Sequence, residues 1–137
     1  MICNQNFPEI DLQLLKEADW KVDCCNYWSF DENIIIGEAR ALVSSLRVHV
    51  FRKLVRGKRV LFLVDNMSVC LAFSRFRSSN FKLLVQIRKW AAMCLAFNIF
   101  PSVRWVPSEY NVSDAPSRDP SYFMNNVFSC KSLIQFP

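Results

Sequence analysis

A run of five apolar residues, Val60 to Val64, stands between stretches whose apolar residues repeat at helical spacing, and this alternation narrows the fold more than any other feature. A short continuous run rich in valine and leucine reads as a strand covered on both faces, and therefore as a central one. Before it, Ile35, Ala39, Leu42, Val43, Leu46 and Val50 recur every three or four positions, with Asn33 placed to cap the helix they predict. After it, Asp65-Asn66 stops the strand, and helical spacing resumes through Val69, Cys70 and Phe73. Beyond the polar break Arg77-Ser78-Ser79-Asn80, the residues Leu83, Leu84, Ile87, Trp90, Ala91, Cys94 and Leu95 give the strongest helical pattern, with Asn80 as its cap. Pro101 to Pro107 reads as one more strand through Val103 and Trp105, bracketed by prolines that the interior of a ladder would not tolerate. Strands and helices in this succession predict an α/β sheet with helices packed on it.

Outside that block the signals are weaker. Residues Met1 to Pro8 carry no period, while Ile10, Leu14, Leu15 and Ala18 suit a short helix or a packed loop. Trp20 to Phe30 holds Val22, Tyr27, Trp28 and Phe30 around a turn-like Cys25-Asn26, which predicts a hairpin. The pattern fades beyond Pro120. The expected organisation is therefore an N-terminal segment over 1–19, one domain over 20–118 and a tail over 119–137, without internal repeats or low-complexity tracts. With 52% hydrophobic and 14% aromatic residues in 137, the chain has the material for one core and is not expected to be disordered as a whole.

The formal charge of +5 is compatible with a polyanionic partner, but many proteins without one share it. The cations crowd two stretches, Arg52, Lys53, Arg56, Lys58 and Arg59 in the first, and Arg75, Arg77, Lys82, Arg88 and Lys89 in the second, and a solvated face accounts for most of them. The six cysteines have no regular spacing and no signal peptide precedes them, so a reduced, intracellular chain in cytoplasm or nucleus is expected, with Cys70 and Cys94 packed as small hydrophobes. Zinc is disfavoured, since no C-x-x-C pair exists and His49 is the only histidine. No apolar run approaches the roughly 18 residues of a membrane span, so no membrane partner is expected.

Three acids stand out by position: Glu38 in the first turns of the first long helix, Asp65 at the carboxyl end of the central strand, and Asp114 after the last strand. Sites in α/β sheets gather at the carboxyl ends of strands, where these three could converge. Each also has a plain structural reading: Glu38 complements a helix dipole, Asp65 with Asn66 makes a turn, and Asp114 caps a terminal helix.

The local sequence around all three changes the weighing. Glu32 to Leu42 (ENIIIGEARAL), Val60 to Asn66 (VLFLVDN) and Arg104 to Arg118 (RWVPSEYNVSDAPSR) follow in an order and spacing that resembles the ribonuclease H domain downstream of reverse transcriptase in retroelements, of the DIRS type or related to it. The closing pattern N-x-x-D-x-x-S-R is fairly specific because it follows a strand and a V-P-S-E turn, and the resemblance covers about Trp20 to Arg118. It implies a ribonuclease H-like mixed sheet with flanking helices, in which Glu38, Asp65 and Asp114 are the second, third and fourth members of an Asp-Glu-Asp-Asp set holding two Mg²⁺ (or Mn²⁺) ions. It further implies cleavage of the RNA strand of an RNA-DNA hybrid, an adjoining reverse transcriptase domain as partner, and substrate contacts from Arg75, Arg77 and Lys82, with Asn66 near a sugar. Hard Mg²⁺ takes oxygen ligands, and the ions neutralise carboxylates that would otherwise repel.

The departure from the family is the first Asp, which belongs on an opening strand followed by a small residue and a glycine. Asp11, Asp19 and Asp23 lack that context, so the opening strand is expected to be missing and the domain truncated at its N-terminus. No histidine lies between Val106 and Asp114, where many relatives carry one. Two functions from different classes follow: a two-metal nuclease, inactive in this form, or a non-catalytic remnant that binds nucleic acid or supports an adjoining polymerase.

Overall fold

Asparagine sets the start of each main helix. The computed structural model describes residues 10–17 and 31–113. In it the side chain of Asn33 accepts from the Ile35 amide (2.9 Å) and opens α1, Ile34–Phe51. Asn66 accepts from Val69 N (3.2 Å) and opens α2, Met67–Arg75. Asn80 accepts from Lys82 N and Leu83 N (3.0 and 3.3 Å) and opens α3, Phe81–Ala96. Each cap satisfies amides that the first helical turn leaves without a carbonyl. A further short helix, Leu12–Glu17, lies near the start of the chain.

Between these helices run two strands, β1 (Arg59–Val64) and β2 (Phe100–Trp105), paired in parallel with Arg59 opposite Phe100 and Val64 opposite Trp105. A parallel pair needs a long crossover, and α2 and α3 supply it. The chain is thus an α/β arrangement of mixed helix and strand. Among the described residues β1 pairs with β2 alone; the hairpin expected at Trp20 to Phe30 lies outside them.

The helices bury one face of the sheet. α1 turns Ile36, Ala39, Leu42, Val43, Leu46 and Val50 inward, the phase its spacing predicts, while Arg47 stays exposed. Trp90 of α3 sits fully buried at the centre, edge-on to Phe62 (centroids 4.6 Å apart) and Phe73 (5.3 Å). Each such pair adds about 0.5–1.5 kcal/mol to the burial itself. Cys70 and Cys94 are buried free thiols, and burial raises both, Cys94 to about 11, as expected of small hydrophobes.

Two expectations need correction. Only Val60 and Phe62 of β1 are buried; Leu61 and Leu63 on the opposite face are half-buried, so among the described residues the strand is fully covered on one face, not two. Pro101 does not bracket β2 but stands inside it, opposite Val60. The amides of Phe100 and Val106 donate to Lys58 O and Val64 O, which places alternate residues toward β1 and turns the Pro101 nitrogen away from it. Val103, in the same outward phase, offers its carbonyl to Ser74 Oγ (3.2 Å) and lies near Cys70 Sγ (3.8 Å), so α2 closes that edge. Among the described residues proline costs β2 no ladder bond, because its nitrogen faces away from β1.

Candidate carboxylate site

β1 ends at Val64, and its carboxyl end delivers Asp65 to the start of α2. Two residues from β2 and the turn behind it hold Asp65 in place. Trp105 Nε1 donates to the Asp65 backbone carbonyl (3.0 Å), and Asn111 Nδ2 donates to the carboxylate Oδ2 (2.9 Å). Asn111 is itself fixed, since its Oδ1 accepts from Ser113 N (3.1 Å) and Ser113 Oγ (2.6 Å). The turn is built by Pro107, after which Ser108–Tyr110 form one 3-10 turn that carries the chain back across the strand ends.

Glu38 arrives from α1, in the second turn of a helix whose N-terminus lies at the same end of the sheet. Its carboxyl is pushed up to about 7, first by burial and then by the charge of Asp65. Two carboxylates that repel through a partly dry interior are therefore brought together by elements far apart in sequence. Arg40 is engaged by Glu32, with Nε to Oε2 at 2.5 Å and Nη2 to Oε1 at 3.1 Å, and this pair lowers the Glu32 carboxyl.

Of the residues singled out by sequence, Glu38 and Asp65 converge, and Asp114 lies outside the described residues. Asn66 is half-buried and spends its side chain on the α2 cap. Arg75, Arg77 and Lys82 are exposed around the turn from α2 to α3, and Lys82 is near enough to Glu32 to help lower its carboxyl. That places the start of α3 at the site's end of the sheet. Sequence reasoning missed Asn111 and Trp105 as supports of Asp65, although Asn111 opens the N-x-x-D spacing that marks the segment.

Asp11, one of the upstream aspartates, uses its side chain locally, accepting from Gln13 N (2.9 Å). Among the described residues no group of three or more His, Cys, Asp or Glu side chains is placed to hold a metal ion. The described helices also include none long and apolar enough to cross a membrane. No family model matches the chain, and neither the curated proteins nor the solved structures return a match.

Proposed function

We propose that the chain is a ribonuclease H-like domain of retroelement origin, descended from two-metal nucleases that cut the RNA strand of RNA-DNA hybrids. The observation that carries this reading is the meeting of Glu38 and Asp65 at the carboxyl end of β1, with Asn111 orienting Asp65. The order of elements agrees with it: a helix bearing Glu38, a strand ending in Asp65, two crossover helices, and a parallel strand leading to Asn111-Val112-Ser113-Asp114.

The donor set fits a hard divalent ion such as Mg²⁺ or Mn²⁺. Glu38 and Asp65 offer carboxylate oxygens at a place where burial and mutual repulsion make ionisation costly, and a cation would remove that cost. Glu38, Asp65 and Asp114 are the residues proposed to hold it. When bound, such ions activate a water and stabilise the leaving oxygen in phosphodiester hydrolysis. The chain's own contribution is positional: Asn111 and Trp105 fix the carboxylate and backbone of Asp65, and Arg75, Arg77 and Lys82 supply positive charge toward a nucleic-acid backbone.

A second reading, a non-catalytic module that binds nucleic acid or supports a neighbouring polymerase, is favoured by one observation. Asp11 is occupied near the start of its own short helix, and neither Asp19 nor Asp23 has the sequence context of the family's first aspartate. Glu38, Asp65 and Asp114 therefore account for three of the four carboxylates that the reading expects, and the chain by itself should show little or no Mg²⁺-dependent cleavage of an RNA-DNA hybrid. Joining an upstream strand of the pattern D-x-S-x-x-G should produce cleavage that Asp65→Asn abolishes. Cleavage that survives Asp65→Asn would refute the assignment of Asp65 to the site, and its absence with the added strand would leave the binding module as the better account.

A further inference from the structure

The overall charge conceals a strong internal division. From Glu38 to Glu109 the only intervening acid is Asp65, against seven basic residues from Arg40 to Arg59 and six from Arg75 to Arg104. The densest group belongs to the connection from α1 to β1, at the end of the sheet opposite Asp65. Arg59 and Asp65 are six residue steps apart along β1, which at about 3.3 Å per step is roughly 20 Å.

That connection is firmly built. Val55 is fully buried beneath it, Lys53 N, Leu54 N and Lys58 N donate to Val50 O, His49 O and Val55 O, and Gly57 N donates to Phe97 O. Gly57 has φ +72 with open space around it, so the residue is needed for the backbone turn and not for room. Arg56 donates Nε to Val50 O (3.1 Å) and lays its guanidinium 4.8 Å from the Phe97 ring centre. Lys53, Lys58 and Arg59 are exposed, and Phe100, opposite Arg59 in the ladder and therefore on the same face, is 56% exposed. Phe100 N donates to Lys58 O, so Lys58 and Arg59 lie beside the exposed ring, with Lys53 earlier on the same connection, and cations next to a ring suit a ligand that offers phosphates and flat faces together.

We infer that Lys53, Lys58, Arg59 and Phe100 form a second binding surface, for single-stranded nucleic acid, remote from the carboxylate site and independent of it. The cations meet the phosphates and Phe100 stacks on an unpaired base, a combination typical of sequence-tolerant strand binding. A duplex hides its base faces and could use only the charge, and an anionic membrane would use the charge with no preference for bases.

The test uses the whole chain with a labelled single-stranded DNA of about 20 nucleotides, long enough for one such site. Anisotropy is followed in EDTA, which removes any metal-dependent contribution of Glu38 and Asp65, between about 50 and 200 mM NaCl. The triple variant K53Q, K58Q, R59Q should bind more weakly and lose about 2 from the slope of log affinity against log salt. Phe100→Ala should weaken binding about tenfold at an unchanged slope. Binding is read here without metal, whereas the carboxylate site is read by its response to Mg²⁺ or Mn²⁺, so that failure of the carboxylate reading and failure of this one are separable. No binding by the unaltered chain, an unchanged slope in a triple variant whose melting curve matches the unaltered chain, or binding to phosphatidylserine vesicles without binding to the oligonucleotide would each overturn the proposal.

Discussion

Glu38 resists ionisation in the folded chain, with its carboxyl raised from 4.5 to about 7 by burial and by Asp65. Between those values the unfolded chain has lost the proton that the folded chain keeps, so stability falls as pH rises from about 4.5 to about 7 and is level above it. Glu38→Gln removes the titration. In EDTA this variant should match the original near pH 4 and exceed it near pH 8 by about 1–2 kcal/mol, a figure reduced from the full shift because the group is half exposed to solvent screening. Equal pH dependence of the two melting temperatures would show that Glu38 is not the titrating group. Glu38 and Asp65 were legible in the sequence because each sits where an element ends or begins at one edge of the sheet. Asn111 as the partner of Asp65 was not, because that hydrogen bond joins residues 46 apart and depends on the path of the turn after Pro107.

At the scale of elements, local chemistry was the better guide. Asn33 and Asn80 were recognisable as caps because a short side-chain acceptor ahead of an apolar period has few other uses, and both cap as expected. Asn80 serves two amides, so Asn80→Ala should cost about 1 kcal/mol in denaturant unfolding, while Ser79→Ala beside it, exposed and outside the helix, should change little. An equal loss in both would mean that the turn, and not the cap, carries the effect. Pro101 was misread for a physical reason: whether a proline breaks a strand depends on which side its nitrogen faces, a matter of register that composition does not contain. The half-buried face of Leu61 and Leu63 was missed likewise, since an apolar run reports the hydrophobicity of residues and not what covers them.

Taken whole, the described residues are held by one core that joins α1, α2 and α3 to a single face of β1 and β2, with Trp90 at its centre between Phe62 and Phe73. Removing that ring leaves a cavity bordered by both the strand and the crossover helix. Trp90→Ala should cost about 3–5 kcal/mol, a large share of the 5–15 kcal/mol typical of a domain, so the variant should melt far lower or fail to fold, whereas Leu95→Ala at an exposed position should melt normally. The same core sets the distance between the α1 helix and the end of β1, and with it the approach of Glu38 to Asp65. The central claim is that these two carboxylates form a divalent-ion site, and the most direct measurement is thermal unfolding near pH 8 with and without Mg²⁺ or Mn²⁺. The melting temperature should rise with the metal, by an amount that Glu38→Gln and Asp65→Asn each abolish and that Asn111→Ala shifts to about 10–100-fold higher metal concentration. A rise of the same size in Asp65→Asn, or none in the unaltered chain, would contradict it.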